Sequence, residues 1–347
     1  MHLETMLASL FLCQGLFLAL VVITVARQPK GFPSVALCLI TRDEEIDLEE
    51  WISYHHSIGV TAVIIFDNNS DKSALADPKV FRWARTGFVK EYSYFMDEEA
   101  PNPQLFAYQA CLNVYGDHFD FMGFIDTDEF VVLHNDTELL PEFLSGYTKF
   151  GGVVFNEMFF GSSGHKARPT GGVLENYNKC APTNLIKSFV MPSKCAGIGV
   201  TPHFFNYYQG HYAVDVNKRP VHEAWNPELG KITVFNHQDI PDYLYKKAYI
   251  YHFVVKSEED FRKKMARGSG DGMGRDMPFF HSINSQANQE CKHALHRNVS
   301  WELRYNLHQR HWYVPARDSR SHQIVGEERV VDRERRGRSR DRLHLRD

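Results

Sequence analysis

The amino-acid sequence predicts an α/β fold with a mostly parallel central sheet flanked by helices. Apolar runs of strand length alternate with segments of helical periodicity through residues 35–126. The candidate strands end in polar, acidic tails, which is typical of the ligand-binding edge of such a sheet. The chain has 347 residues, of which 43% are hydrophobic and 13% aromatic, so it can fill a sizeable core.

A strand–helix–strand unit opens the predicted fold. The run VALCLIT at 35–41 predicts a buried strand, residues 43–59 predict a helix, and VTAVIIFD at 60–67 predicts a second strand. This spacing is that of a βαβ unit, whose strands are parallel. Gly59 is expected to end the helix. The face of the helix near the core is predicted to carry Ile46, Trp51, Ile52 and His55.

The pattern continues with a weaker strand at 87–94, a helix at 103–116 and a fourth strand at 119–126. Because parallel strands end at the same edge of a sheet, their polar tails should gather in one cleft. The three tails expected there are residues 42–44, 67–71 and 126–129.

The second half of the chain is less regular. A short aromatic strand begins at Ala248 and is followed by a helix, which Ser257 is expected to cap. His252 therefore lies just ahead of a helix. The other strand or loop candidates are residues 151–165, 201–208 and 231–239.

The N-terminal run at 5–26 is uncharged and mainly apolar, and it exceeds the roughly 20 helical residues that cross a bilayer. It fits a membrane anchor or a long signal peptide, because residues 24–26 resemble a cleavage site. Its length favours a single-pass anchor. Arg27 and Lys30 follow the run, and positive charge there opposes a body on the lumenal side.

Three regions are predicted along the chain. The formal charge of −4 and the pI near 6.5 exclude a general nucleic-acid binder. The C-terminal region is Arg-rich and mixed in charge, which is typical of disorder. The regions are an anchor or signal segment at 1–27, a folded body at 28–315 and a disordered charged tail at 316–347.

Of the six cysteines, Cys13 lies in the apolar run, and the five that remain are a small odd number that cannot define a disulfide framework. Cys38 and Cys111 stand in apolar contexts and are predicted to be core thiols. Cys180 and Cys195 bracket a loop-like segment and are expected to pair if the body is lumenal. In that compartment, N-glycosylation sequons are available at Asn68, Asn135 and Asn298.

The stretch FIDTDEF at 124–130 places several carboxylates directly behind an apolar run. One interpretation is a simple turn, since acidic residues often mark where a strand meets water. The other is a metal site: in extended chain Asp126 and Asp128 leave on the same side, and two carboxylates suit Mn²⁺ or Mg²⁺. Such a cation could hold a diphosphate.

Four blocks stand in one order along the chain: CLITRDEEIDLEEWISYHHSIGVTAVIIFDNNSDKS, FIDTDEF, FGSSGH and YHFVVKSEEDFRKKMARG. Together they resemble the glycosyltransferases of family 92 and their relatives in the family 2-like group, over residues 34–275. The resemblance implies an A-type glycosyltransferase fold, a UDP-sugar donor and a divalent cation, Mn²⁺ or Mg²⁺. Several members of the family transfer galactose to glycans with inversion.

The resemblance also implies roles for single residues. Asp126 and Asp128 become the metal motif, with Asp126 also facing the donor, and Asp67 becomes a contact to the nucleoside. His252 becomes a further metal ligand, although a lone histidine among aromatic residues also fits a packed core position. The other predicted donor-binding residues are Arg42 and Lys256.

An inverting transfer needs a carboxylate base beside the acceptor hydroxyl. The two candidates are Glu157, next to the FFGSSGH loop, and Asp271 in the RGSGDGMG segment. For both, a solvated loop carboxylate is the alternative. The chain departs from the family pattern here, since Asn156 or Glu157 stands where a tryptophan is expected before the FG pair.

The sequence thus predicts a metal-dependent glycosyltransferase that moves a hexose, with galactose as one option, from a UDP-sugar to a glycan. A body in the lumen of the Golgi or another secretory membrane fits this activity. One alternative is a binding protein of the same fold without turnover, and another is a different metal-dependent nucleotide enzyme. No Walker loop, GxSxG or HExxH motif supports hydrolytic chemistry.

Overall fold

The computed structural model describes residues 31–94, 102–221, 246–268 and 274–291, and the backbone of 224–226 and 231–233. Within them the strands are β1 Val35–Thr41, β2 Ala62–Asp67, β3 Val89–Ser93, β4 Phe121–Phe124, β5 Glu129–Leu133, β6 Gly152–Phe160, β7 Lys179–Val190, β8 Cys195–Ile198, β9 Phe205–Tyr207, β10 Ala213–Val214, β11 Ala224–Asn226, β12 Lys231–Thr233, β13 Ala248–His252 and β14 Gln289–Glu290. The α-helices are α1 Glu45–Ser57, α2 Pro78–Arg85, α3 Pro103–Tyr115, α4 Leu140–Ser145, α5 Val173–Asn176, α6 Glu258–Arg267 and α7 Met277–Gln286.

One large sheet organises the fold, in the order β3-β2-β1-β4-β7-β6-β13-β5. Its first four strands are mutually parallel, as the βαβ spacing predicted. β7 then runs antiparallel to both β4 and β6, β13 is parallel to β6, and β5 is antiparallel to β13. The α/β class and the mostly parallel sheet are therefore confirmed, with a mixed half that the sequence did not predict.

The core lies on both faces of this sheet, because successive residues of β1 alternate between two hydrophobic clusters. Leu37 packs with Trp51 of α1 on one face. Cys38 packs with Tyr108 of α3 on the other face. Strands buried on both faces read as continuous apolar runs, which is why β1 and β2 were readily predicted.

Helix α1 begins and ends close to the predicted positions. Trp51, Ile52 and His55 are buried, as expected, but Ile46 is 61% exposed, so its predicted place on the buried face is wrong. At 100° per residue, Ile46 points about 140° away from Trp51. Gly59 follows the helix at a φ of +95°, a conformation that favours glycine.

The cysteines pair differently from the prediction. Cys38 of β1 forms a disulfide with Cys111 of α3, so these two are not free core thiols. Cys180 is bonded to Cys291, and Cys195 is a buried free thiol. The predicted Cys180–Cys195 pair fails because the segment between them is the extended strand β7, which holds its two ends about 3.3 Å per residue apart.

β7 is the main element that the sequence pattern missed. It has twelve residues, and only its last five are uniformly buried, so it lacks both a continuous apolar run and regular alternation. Its Phe189 packs over Gly123 of β4, where a side chain on residue 123 would collide with the aromatic ring.

Several predicted segments lie outside the described residues, among them the apolar run at 5–26 and the tail at 316–347. In the part of the chain that is described, no helix has the length and apolar character needed to cross a membrane.

Candidate active site

The acidic stretch links β4 to β5 at the edge of the sheet where the parallel strands end. β5 begins at Glu129 and pairs with β13 so that His252 lies opposite Glu129. β13 also pairs with β6, with Ile250 opposite Glu157. Three strands that are distant in sequence thus bring Glu129, Glu157 and His252 into one cluster.

The link is a turn, not extended chain. The backbone N–H of Glu129 donates to the carbonyl of Asp126 at 3.0 Å, and the N–H of Asp126 donates to Glu129 Oε2 at 2.9 Å. The expectation that Asp126 and Asp128 project from an extended strand is therefore wrong. The turn interpretation holds for the backbone, and the side chains of the same turn form the acidic cluster.

Asp126 is held by side chains from α3 and β7. Its Oδ1 accepts hydrogen bonds from Gln104 Nε2 at 2.7 Å and from the Tyr108 hydroxyl at 3.0 Å. Its Oδ2 lies 2.8 Å from Lys187 Nζ, which is also 3.2 Å from Glu129 Oε1. Lys187 is buried, so it is a fixed positive charge between two carboxylates.

Asp128 faces a different set of cations. Lys264 of α6 donates to its Oδ2 at 2.8 Å, and its Oδ1 lies 3.6 Å from His252 Nε2. Burial by itself would raise the pKa of Asp128, but Lys264, His252 and Lys256 lower it well below the usual range. Asp128 therefore stays ionised.

His252 lies at the centre of the cluster. Its Nδ1 is 2.7 Å from Glu157 Oε2 and 3.4 Å from Glu129 Oε1. Burial lowers the pKa of His252, but Asp128, Glu129 and Glu157 outweigh this and raise it to about 9. The sequence left two roles open for His252, a packed core residue and a metal ligand. In this acidic environment the ring either carries a proton on both nitrogens or binds a cation through one of them.

Glu129 completes a possible cation site. Burial, assisted by Asp126 and Glu157, raises the pKa of Glu129 to about 8, against the opposing effect of Lys187 and His252. Its Oε1 is buried and makes no hydrogen bond in the part of the chain that the structure describes, although Lys187 Nζ lies 3.2 Å away. A buried carboxylate oxygen of this kind is stabilised by a hydrogen bond or a bound cation.

One ligand atom from each of Asp128, Glu129 and His252 lies within 4.8 Å of the others. Two carboxylates and one imidazole form a mixed oxygen and nitrogen donor set. This set fits Mn²⁺ better than Mg²⁺, because Mg²⁺ prefers oxygen ligands alone. Of the residues predicted to bind metal, Asp128 and His252 belong to this group. Asp126 lies outside the group, and Glu129 takes its place.

The predicted donor-binding residues lie on neighbouring strand ends. Asp67 is buried at the end of β2, opposite Thr41 of β1, and its Oδ1 accepts from the N–H of Ser70 at 3.1 Å. Arg42 follows β1, and its Nε is buried without a hydrogen-bond partner in the described residues. The expected gathering of polar strand tails at one edge holds for these residues.

Lys256 follows β13 and forms an ion pair with Asp47 of α1. Burial lowers the pKa of Lys256, but Asp47, Asp128 and Glu44 raise it above its usual value. Lys256 is therefore a charged lysine close to the acidic cluster. Its ion pair is with Asp47.

Helix α6 closes this edge. Ser257 caps it as predicted, accepting from the N–H of Asp260 at 3.1 Å. Near its other end, Arg267 pairs with Glu44 in the tail of β1, and Thr127 of the acidic link also bonds Glu44. These contacts tie the link to both β1 and α6.

A family model of known proteins matches this chain. The model is that of glycosyltransferase family 92, and it covers residues 35–265. The chain belongs to glycosyltransferase family 92. The resemblance carried by the four sequence blocks is thereby confirmed.

The family 92 chain is 29% identical over 220 residues to a curated glycosyltransferase family 92 protein of Oryza sativa subsp. japonica. The alignment covers 58% of this chain and 36% of that relative, so the chain spans only part of the relative's length. Among solved structures, a mannosyltransferase from Pyrobaculum calidifontis in complex with GDP-Man and Mn²⁺ matches with a TM-score of 0.28 and 17% identity, over 38% of this chain and 37% of that chain. TarS of S. aureus in complex with UDP matches with a TM-score of 0.30 and 12% identity, over 46% of this chain and 47% of that chain.

Of the two residues predicted as the base of this family 92 member, the structure describes only Glu157. Glu157 is fully buried in β6 and bonded to His252, so it is not a solvated loop carboxylate. Asp271 lies outside the described residues.

Glu129, Lys187 and Lys264 belong to the charged cluster of the family 92 chain but were not predicted as site residues. Glu129 was visible as the third carboxylate of FIDTDEF. Lys187 had a weaker signal: it follows Leu185 and Ile186 and precedes Phe189 and Val190. A lysine inside an apolar run is unusual and indicates a paired, buried charge.

Proposed function

We propose that this family 92 member transfers a hexose from a UDP-sugar to a hydroxyl of a glycan, with inversion at the anomeric carbon. Galactose is the first donor sugar to test. The observation that carries the proposal is the group formed by the buried Asp128 and Glu129 and the partly buried His252 at the carboxyl edge of the parallel strands, where ligands bind in α/β sheets. These three residues would hold Mn²⁺, or Mg²⁺ in its place.

In the proposed reaction the acceptor hydroxyl attacks the anomeric carbon, its proton passes to a base, and the bond from that carbon to the diphosphate breaks. UDP leaves with the electron pair. A divalent cation supplies charge neutralisation on the departing diphosphate. Asp271 remains the candidate base, because the carboxylate of Glu157 is buried and bonded to His252.

The chain's own residues would place the donor. Arg42 and Asp67 follow adjacent parallel strands and would contact the nucleoside side of UDP. Lys256, charged and close to Asp128, would contact the diphosphate by exchanging part of its pairing with Asp47. Asp126 would orient the donor, and Lys187 would hold the Asp126 carboxylate in place.

The A-type glycosyltransferase fold and a lumenal body belong to the same proposal. The parallel half of the sheet with an acidic link at its edge supports the fold assignment. The disulfides Cys38–Cys111 and Cys180–Cys291 support folding in an oxidising compartment such as the secretory pathway. The run at 5–26 would anchor the chain in a Golgi membrane.

The alternative is a binding protein that kept the fold and lost turnover. One observation favours it: Lys187 and Lys264 already neutralise Asp126 and Asp128 without any added cation. Such a protein would bind a nucleotide sugar and release no UDP.

UDP release by the full chain, measured against a panel of UDP-sugars with Mn²⁺ or with EDTA, separates these functions. We expect Mn²⁺-dependent release with one sugar, and loss of release in Asp128→Asn. Glu142→Gln, which changes an exposed carboxylate of α4, is the matched control and should retain activity. UDP binding in calorimetry without release would favour the binding protein, and full turnover by Asp128→Asn would exclude the proposed metal site.

A further inference from the structure

We infer that Glu157 is a positioning residue: its buried carboxylate holds His252 through Nδ1 and so presents Nε2 of the ring to the cation site beside Asp128. The inference rests on the proposed function and gives Glu157 a role other than that of the base. A carboxylate that accepts from the other ring nitrogen fixes the orientation of metal-binding histidines in general.

The hydrogen bond fixes which nitrogen is available. Glu157 Oε2 lies 2.7 Å from His252 Nδ1, and a carboxylate oxygen that pairs with a ring nitrogen accepts, so this contact assigns the proton to Nδ1. The lone pair of a metal-binding ring must then be on Nε2. Nε2 is the nitrogen that lies 3.6 Å from Asp128 Oδ1, a spacing that leaves both atoms able to bind one ion.

The strands explain why Glu157 reaches the ring. β6 and β13 are parallel neighbours, with Ile250 opposite Glu157 and His252 opposite Phe159. The pairing of β6 with β7 shifts register between Asn156 and Met158, so Glu157 lies at an irregularity of the strand. Such irregularities commonly redirect a side chain beside an active site.

His203 is close to Glu157 but does not compete for its hydrogen bond. His203 Nδ1 is 3.7 Å from Glu157 Oε1, but it lies 2.8 Å from the carbonyl of Ile186 and donates there. Glu157 Oε1 makes no hydrogen bond in the described ranges, and the residue is fully buried. Its buried carboxylate is in direct contact with the imidazole of His252.

The first test measures Mn²⁺ binding to the full chain for the wild type, Glu157→Gln, His252→Gln and the double variant. Glutamine keeps the size of Glu157 but not its charge, and we expect roughly 10- to 100-fold weaker Mn²⁺ binding. Because Glu157 acts through His252, the double variant should bind no more weakly than His252→Gln alone. Glu142→Gln should bind Mn²⁺ like the wild type.

A second test needs no variant at position 157. Ring ¹⁵N shifts of His252, assigned by comparison with His252→Gln, are recorded with Cd²⁺, a diamagnetic ion close to Mn²⁺ in size. We expect a proton on Nδ1 and the ion on Nε2. An ion on Nδ1 would overturn the inference.

The outcomes separate this role from the proposed function. If the wild type neither binds Mn²⁺ nor releases UDP, the proposed function fails, and the role of Glu157 fails with it. If the wild type does both and Glu157→Gln binds Mn²⁺ normally, or if the two losses add in the double variant, only the positioning role is wrong. Loss of a titrating limb in the pH–rate profile at unchanged Mn²⁺ affinity would return Glu157 to the role of base.

Discussion

At the scale of single residues, the candidate site is a set of buried charges that compensate one another. Lys187 lies between Asp126 and Glu129, and Lys264 pairs with Asp128. Buried charges are tolerated only when they are paired, so each member depends on its neighbours. The side chains of the site are therefore positioned by their ion pairs with one another.

Replacing Lys187 by methionine tests this dependence. The change leaves the buried Glu129 and the partly buried Asp126 without their shared cation, and we expect the free energy of unfolding to fall by about 3–5 kcal/mol. Adding Glu129→Gln should recover part of the loss, because it removes one of the uncompensated groups. Urea denaturation of the three proteins measures both effects, and wild-type stability in Lys187→Met would show that the pairing contributes nothing.

The stability of the metal-free protein should depend on pH through His252 and Glu129. The pKa of His252 is raised from 6.5 to about 9, so the stability it contributes is complete below pH 6.5 and is lost as the pH rises through 9. The pKa of Glu129 is raised from 4.5 to about 8. The folded state therefore also loses stability as the pH rises through 8 and Glu129 ionises.

Both effects have the same sign, so we expect the melting temperature in EDTA to fall between pH 6.5 and pH 9. The fall should be smaller in His252→Gln, which lacks one of the two titrating groups. Parallel melting curves across that range check the expectation. A melting temperature that rises with pH in the wild type would contradict it.

At the scale of elements, the acidic link is supported from both ends. β4 sits between β1 and β7, with Gly123 leaving room for Phe189, and β5 is held by β13. The disulfide Cys38–Cys111 joins β1 to α3. Helix α3 carries Gln104, which donates one of the hydrogen bonds to Asp126.

Removing this disulfide with Cys38→Ala and Cys111→Ala should lower the free energy of unfolding by about 2–5 kcal/mol, because the unfolded chain loses a cross-link. The sequence separation it spans is 73 residues. Cys195→Ala, which removes a buried free thiol, is the control for loss of a core sulfur atom. Non-reducing mass mapping that finds Cys38 and Cys111 free would exclude the cross-link itself.

At the scale of the whole molecule, the proposed lumenal body leads to different expectations for two sequons. Asn135 lies in an exposed stretch beyond the end of β5, the end remote from Glu129, and Thr137 Oγ1 donates to its Oδ1 at 2.9 Å. Asn68 lies at the carboxyl end of β2, beside Asp67 and close to the proposed donor site, and is only half exposed.

We therefore expect Asn135 to be glycosylated and Asn68 to be unmodified in protein produced by a secretory host. Enzymatic deglycosylation in ¹⁸O water, followed by mass mapping, reads the occupancy of each site. Thr137→Ala should abolish modification of Asn135, and Thr137→Ser should retain it. An unmodified Asn135 in secreted wild type, or a glycan on Asn68, would contradict this arrangement.

Much of the fold and part of the site were accessible from local sequence patterns. The apolar runs at β1 and β2, with α1 between them, predicted the parallel half of the sheet because each strand is buried on both faces. The acidic stretch identified Asp126 and Asp128, and the ordered blocks identified glycosyltransferase family 92.

Only the tertiary structure decided which side chains meet. The order β7-β6-β13-β5 places Lys187, Glu157 and His252 around Glu129, although these residues are distant along the chain. No local period encodes that order, because pairing between strands that are distant along the chain depends on tertiary packing. The sequence by itself therefore determined the fold class, the family and the acidic stretch, whereas strand pairing decided the disulfide partners, the composition of the cation site and the contact between Glu157 and His252.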